Sequence, residues 1–266
     1  MSGIGLSTYA FFWQHNELAP ARLDLAGMLD RTAEAGVGLF QICDYPQVEQ
    51  LDESGLAAIK ARADDLGITL ELGTKGVSVQ HLARYRSLAG ALGASVVCSM
   101  VYSPTERPTL AEAQFSIETE LGAWEAEGLT LALETYEQVS STDLVSLVET
   151  VGRDSFGICL DPANTVAALE NPRDVIDRTA PYVKNIHVKD FQFTRRGGWV
   201  GFTLEGAQLG TGRLDYDHLI ATVRPAERGI SQVIEHWLPL GASIEETIAE
   251  ENTWNTHNLQ YLRSKS

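Results

Sequence analysis

Short apolar runs and amphipathic segments alternate along this chain. The apolar runs begin near Ile4, Val37, Ile68, Ala94, Leu129, Phe156, Val183 and Gln232. Between them apolar residues recur at helical spacing over Leu23–Ala35, Leu56–Leu66, Leu82–Leu92, Leu110–Ala126, Leu144–Val151, Val175–Tyr182, Tyr216–Val223 and Ile244–Leu262. Nearly continuous apolar runs suit strands buried on both faces, and eight strand–helix pairs predict an α/β fold closed as a (β/α)8 barrel. Gly36, Gly67, Gly93, Gly128 and Gly152 each follow a helical pattern, where a left-handed terminating residue is expected. Ser141, Thr142 or Asp143 is expected to cap the fifth helix, and Pro172 suits the first turn of the sixth. No low-complexity linker interrupts the pattern, so residues 1–266 are read as a single domain.

Strand alternation then separates the two faces. In LTLALE, Leu129, Leu131 and Leu133 share the face that packs under helices, which turns Thr130, Ala132 and Glu134 into the barrel. The same parity turns Gly157, Cys159 and Asp161 inward on the sixth strand, Asn185, His187 and Lys189 on the seventh, and Val233, Glu235 and Trp237 on the eighth. Glu134, Asp161, His187 and Glu235 therefore stand near the C-terminal ends of successive strands, on one interior face, where parallel barrels carry their chemistry. Any one of them has a plainer explanation: Asp161 before Pro162 can start a turn, and His187 can be a hydrogen-bonded core histidine. Three carboxylates buried together, however, call for a cation, so the four are expected to hold one hard divalent ion, with Mn, Mg or Co the candidates. Glu71 also points inward from the third strand, and a lysine is expected as its partner.

Composition narrows the partners. The 266 residues are 44% hydrophobic, enough for a full core, and the formal net charge of −16 disfavours nucleic acid or an anionic membrane surface. A small molecule is the expected partner. No run approaches the roughly 20 apolar residues of a membrane span, and MSGIGLSTYAFFW lacks the basic start and cleavage site of a signal peptide, so a cytoplasmic location is expected. Cys43, Cys98 and Cys159, one on each of three predicted strands, suit reduced core thiols rather than a disulfide or zinc framework. His236 has the parity of the helix-facing side, His81, His218 and His257 lie in helical patterns, and His15 is expected in a solvated loop. LGTGRLD lacks the full glycine-rich fingerprint of a nucleotide site and reads as a tight turn entering a helix.

The order Glu, Asp, His, Glu on strands five to eight, with HVKDF at the seventh strand and LGTGRLDY before the eighth unit, resembles the xylose isomerase-like TIM barrels of the sugar phosphate isomerase/epimerase superfamily. The resemblance spans nearly the whole chain. It implies a metal-dependent isomerase or epimerase acting on a keto sugar or keto sugar acid through a metal-stabilised enediolate, with Glu134 and Glu235 exchanging the proton. The superfamily's endonuclease branch uses a histidine-rich multi-metal cluster that is missing from this sequence. A homo-oligomer is compatible with the resemblance.

Two departures bear on the reaction. Where related epimerases carry a substrate-contacting histidine three residues after the sixth-strand aspartate, this chain has Asn164. GLSTYAFFW, DPANTVAALENP, the RRGGWVGFTLEG hairpin and EHWLP look closer to the superfamily's 3-oxo-isoapionate decarboxylase branch, which makes a carbon–carbon lyase the alternative to an isomerase. A non-catalytic sugar-binding barrel is the third reading, and the complete ligand set weighs against it. Lys75, Lys189, Arg195 and Arg196, at or past strand ends, are expected to offer cations to an acidic substrate, unless they serve only internal charge balance or a solvated hairpin. Trp13 and Asn164 complete the expected substrate contacts, and Tyr9, Phe11 and Trp237 are candidates for the pocket wall.

Overall fold

In the computed structural model, which describes residues 3–265, eight parallel strands close into a barrel in the order predicted by the alternation of runs. They are β1 (Ile4–Ser7), β2 (Leu39–Cys43), β3 (Thr69–Lys75), β4 (Val96–Met100), β5 (Thr130–Glu134), β6 (Phe156–Leu160), β7 (Val183–Val188) and β10 (Ser231–Ile234). Each neighbours its sequence successor, and β10 closes the ring between β7 and β1. Each strand starts within two residues of the expected position. Outside them lie α1 (Leu25–Glu34), α2 (Glu53–Leu66), α3 (Val79–Leu92), α4 (Leu110–Ala126), α5 (Ser141–Val151), α6 (Pro172–Thr179), α7 (Tyr216–Val223), the short α8 (Pro225–Arg228) and α9 (Ile244–Ser264).

Four helices begin one turn earlier than apolar periodicity suggests, at Glu53, Val79, Ser141 and Pro172 rather than at Leu56, Leu82, Leu144 and Val175. In three of them the side chain of Asp52, Ser140 or Asn171 accepts from the first turn's backbone N–H groups and so starts the helix before its first core-facing residue. Ser140, not Ser141, Thr142 or Asp143, is the α5 cap; the Ser141 hydroxyl instead donates to Glu170 at 2.6 Å. The helical pattern over Val175–Tyr182 is also shorter than expected, because Pro181 allows only a 3-10 turn after Thr179.

The core divides as the parity requires. Leu72, Leu131, Leu133, Ile158, Leu160, Ile186, Val188 and Ile234 are buried between sheet and helices. Inside the barrel, Cys98, Ala132 and Cys159 form a small separate cluster, surrounded by buried Gln41, Glu71, Asn185 and His187. All three cysteines are free and buried. The barrel interior is thus polar and hydrogen-bonded, while the apolar mass lies outside it.

After β7 the chain turns into an antiparallel hairpin of β8 (Asp190–Arg195) and β9 (Phe202–Ala207) before reaching α7. The LGTGRLD turn that follows wraps the buried carboxylate of Asp190. That carboxylate accepts from the backbone N–H groups of Phe191 and Leu214, both at 2.8 Å, and of Gly210 at 3.0 Å and Gly212 at 2.9 Å. A side chain on Gly212 would begin 2.3 Å from Asp190 Oδ1, which is why the second glycine of the motif is needed. Asp190 so fixes the backbone next to Lys189. Asp190→Ala is expected to lower stability by about 3 kcal/mol, since four backbone donors, those of Phe191 and Leu214 buried, lose their acceptor. Urea unfolding checks this, and a loss below about 1 kcal/mol would contradict the account.

Candidate active site

Glu134 ends β5, Asp161 follows β6, His187 lies within β7 and Glu235 follows β10, so the four arrive on one side of the barrel's C-terminal end. One ligand atom from each lies within 4.8 Å of the others. His187 Nδ1 is 3.4 Å from Glu134 Oε1 and 3.6 Å from Glu235 Oε1. Asp161, His187 and Glu235 are buried, and Glu134 is partly open to the cavity.

Local structure aims each donor. Asp161 does start a turn, as its position before Pro162 suggested: Oδ1 accepts from the N–H groups of Ala163 at 3.0 Å and Asn164 at 3.2 Å. Its other oxygen is thereby left for the cluster. Thr135, one residue past β5, holds the Asp161 backbone through both N–H and C=O, each at 2.8 Å. Asn164 Nδ2 donates to Glu134 Oε1 at 2.7 Å and fixes that carboxylate's direction. His187 Nε2 meets Gln41 Oε1 at 2.8 Å, which leaves Nδ1 facing the glutamates.

Charge balance inside the cluster falls to Lys189. Its buried ammonium lies 2.8 Å from Asp161 Oδ2, 3.1 Å from Glu235 Oε2 and 4.6 Å from the centre of the Trp237 ring. Burial alone would lower the Lys189 pKa, but the charges of Asp161, Glu235 and Glu134 outweigh it and hold the ammonium charged. His187 behaves likewise: burial works to lower its pKa, and Glu235 and Glu134 raise it well above the usual value. Burial raises the Glu134 carboxyl, whereas at Glu235 the same effect is overcome by His187 and Lys189 and the carboxyl is lowered.

The donor set fits a hard divalent ion. Three carboxylates and one imidazole supply oxygen and nitrogen in the mixture such ions take. His187 Nδ1 and Glu235 Oε1 are buried without a hydrogen-bond partner among the described residues, and Asp161 Oδ2 has only the Lys189 ion pair, not aligned as a hydrogen bond. Three under-satisfied atoms converging on one point are costly unless a cation satisfies them.

Around the cluster lies a cavity of about 50 Å³, lined among others by Tyr9, Lys75, Tyr136, Asn164, Lys189 and Trp237. Asp44 and Lys75 also line a cleft of about 650 Å³ between the loops after β2, β3 and β4. Asp44 accepts from the Tyr9 hydroxyl at 2.6 Å, pairs with Lys75 Nζ at 2.5 Å, and holds a left-handed backbone at φ 48°. Asp44 and Tyr136 were not singled out from sequence. A signal existed, since Asp44 directly follows an apolar run as Asp161 does, and Tyr136 keeps the inward parity of Glu134.

Several expected contacts lie elsewhere. Arg195 and Arg196 are exposed at the hairpin tip and are not among the cavity-lining residues; Arg195 stacks on the Phe202 ring at 4.3 Å. Trp13 is half-buried and does not line the cavity either. Its indole N–H donates to Leu238 O at 2.8 Å and its backbone N–H to Glu251 at 2.7 Å, so it ties the loop after β1 to α9 and the loop before it. Among the described residues Glu71 has no lysine partner, because Lys75 turns to Asp44 and Lys189 to Asp161 and Glu235. Its partners are Ser231, Asn185 and Gln41, below the cluster. His15 is half-buried between Phe12 and Tyr45 rather than solvated, and His236 faces α9 through Trp254 and Asn258 as its parity required.

Known proteins share this architecture. The pattern of the xylose isomerase-like TIM barrel family matches residues 29–264. A 3-oxo-isoapionate decarboxylase from Pectobacterium atrosepticum is 51% identical over 263 residues, covering 99% of this chain and 96% of the relative. Among solved structures, a D-psicose 3-epimerase determined with D-fructose aligns with a TM-score of 0.75 at 17% identity, covering 98% of both chains. A xylose isomerase-like TIM barrel protein from Mycobacterium smegmatis in complex with magnesium aligns at 0.70 and 17%, covering 96% of both. At those identities the two structures speak for the fold. The match over most of the barrel, joined by similarity to the decarboxylase from end to end, gives the assignment: the chain belongs to the xylose isomerase-like TIM barrel family.

Proposed function

We propose that this protein is a divalent-metal-dependent decarboxylase of a 3-oxo sugar acid, of the kind its 51% identical relative is named for. That likeness over nearly the full length of both chains is the observation that carries the reading. The site is chemically compatible with it. A carbonyl at carbon 3 can accept the electron pair released when the bond between the carboxylate and carbon 2 breaks; carbon dioxide leaves, an enediolate remains, and carbon 2 then takes a proton. A divalent ion held by Glu134, Asp161, His187 and Glu235 would supply positive charge against the developing enediolate. Lys75, at the junction of the inner cavity and the outer cleft, is placed to meet the carboxylate or a sugar oxygen, while Asp44 and Tyr9 hold it there. Glu134, which lines the cavity and is oriented by Asn164, is the group suited to carry the proton to carbon 2.

One observation favours a second reading, epimerisation of a keto sugar: two glutamates, Glu134 and Glu235, line the same cavity, and an epimerase needs two proton-exchanging groups. Incubating metal-loaded protein with keto sugar acids and keto sugars in deuterated water separates the two. Carbon dioxide release with one deuterium added at carbon 2 is expected; deuterium exchange into a neutral keto sugar without carbon dioxide would favour the epimerase. Glu134→Gln is expected to keep its fold by circular dichroism and lose turnover by about 100-fold or more. Near wild-type rates would remove Glu134 from the proton path.

Elemental analysis is expected to find one divalent ion per wild-type chain and none in Asp161→Ala or His187→Ala, and normal metal content in both variants would contradict the site. Affinity for Mn²⁺ is expected to rise with pH through neutrality, because the proton that His187 holds on Nδ1 at its raised pKa, and any on Glu134, must leave before either can bind. Titration calorimetry at several pH values tests the sign, and affinity that falls with rising pH would contradict it.

Lys75→Met is expected to raise KM for an acidic substrate about ten- to hundredfold, the equivalent of a charge-assisted hydrogen bond of about 1.5–3 kcal/mol. Arg195→Ala and Arg196→Ala are expected to stay near wild type, since both side chains are exposed on the hairpin. Steady-state kinetics would move the carboxylate contact to the hairpin if the pattern were reversed.

A further inference from the structure

Beneath the four-ligand cluster lies a second polar layer that takes no part in the reaction outlined above. Its centre is Glu71, buried on β3. One of its oxygens accepts from the Ser231 hydroxyl at 2.6 Å, and the other from Asn185 Nδ2 at 2.9 Å and Gln41 Nε2 at 3.3 Å. Glu71 is the acceptor in all three contacts, and this decides which end of each amide faces it. Gln41 must turn its NH₂ toward Glu71 and its carbonyl oxygen the other way. That oxygen lies 2.8 Å from His187 Nε2, and an acceptor there requires a proton on Nε2. Asn185 Oδ1, 3.3 Å from Gln41 Nε2, holds the same amide from a second side.

We infer that Glu71 and Gln41 are positioning residues: acting through two hydrogen bonds, they keep a proton on His187 Nε2 and so present the Nδ1 lone pair to the ion that Glu134, Asp161 and Glu235 share. The inference rests on the metal-dependent reading of that site and deepens it. Without the relay, the imidazole could turn over or protonate at Nδ1 instead, and the ligand set would lose its only nitrogen donor. Partners of this kind, one shell behind a histidine ligand, typically change metal affinity by about 10- to 100-fold when removed.

The test is a two-bond ¹H–¹⁵N correlation spectrum of histidine-labelled protein, recorded with and without Mg²⁺. In the wild type His187 is expected to carry a slowly exchanging Nε2 proton in both states, with Nδ1 unprotonated once Mg²⁺ is bound. Gln41→Met preserves volume and removes the acceptor; its Nε2 proton is expected to exchange fast, and its Mg²⁺ affinity by calorimetry to fall about 10- to 100-fold. Glu71→Gln, which frees Gln41 to flip, is expected to fall between Gln41→Met and the wild type. A wild-type spectrum with Nε2 bare and Nδ1 protonated overturns the inference, and so does a Gln41→Met protein with unchanged affinity and unchanged Nε2 exchange. If the wild type binds no metal, the proposed function fails at that point, while the metal-free spectrum recorded at a pH high enough for the ring to be neutral still decides for or against the relay, because only the neutral ring has a choice of tautomer. Should Gln41→Met fail to fold, the wild-type spectrum and Glu71→Gln carry the decision.

Discussion

Three carboxylates held within a few ångströms of one another inside a barrel repel strongly and are poorly hydrated, and the site is organised around that repulsion. Lys189 answers part of it from within, through Asp161 and Glu235. His187 answers another part from below, between Glu134 and Glu235. What remains is a set of donor atoms aimed at one point with too few partners among the described residues. The turn at Asp161 shows how the backbone serves this arrangement: one carboxylate oxygen is spent on two N–H groups, which settles the direction of the other.

The barrel supports this charge with two different kinds of surroundings. Outside the strands lies a continuous apolar layer, which gives the fold its hydrophobic stabilisation. Inside, small side chains at Cys98, Ala132 and Cys159 leave room for the Gln41, Glu71, Asn185 and Ser231 network, which is hydrogen-bonded throughout and orients His187. Above, Asp44, Tyr9 and Lys75 mark the passage to a larger cleft. The Asp190 carboxylate and the turn wrapped round it anchor the chain just past Lys189. These regions position the cluster from below, from the rim and from the hairpin side.

Decarboxylation and epimerisation make similar demands on such a site, since both pass through an enediolate and need a proton delivered to carbon. They differ in what must leave. A departing carboxylate calls for a cation near the reacting carbon, and Lys75 and Lys189 both line the cavity. Asn164 adds to the difference: it ties Glu134 to Lys189 by hydrogen bonds of 2.7 and 3.4 Å, a coupling of acid and cation that relies on an amide's having a donor and an acceptor on one side chain.

The strand order and the four converging side chains were legible in the sequence because both follow local rules. A period of two assigns each strand residue to a face, and an apolar run ends where its strand ends. Helix starts were less legible, because polar caps such as Asp52 and Ser140 begin a helix one turn before its first apolar residue. What only the tertiary structure decided were the choices among distant partners. A lysine was expected beside Glu71, yet Lys75 and Lys189 each found an aspartate nearer its own strand end, and Glu71 was left to Gln41, Asn185 and Ser231. Arg195 and Arg196 lie close in sequence to β7 but are carried away from the cavity by the β8–β9 hairpin. Parity reports which way a side chain leaves its strand; which group it meets depends on the relative heights of strands far apart in sequence, and barrel closure alone sets those heights.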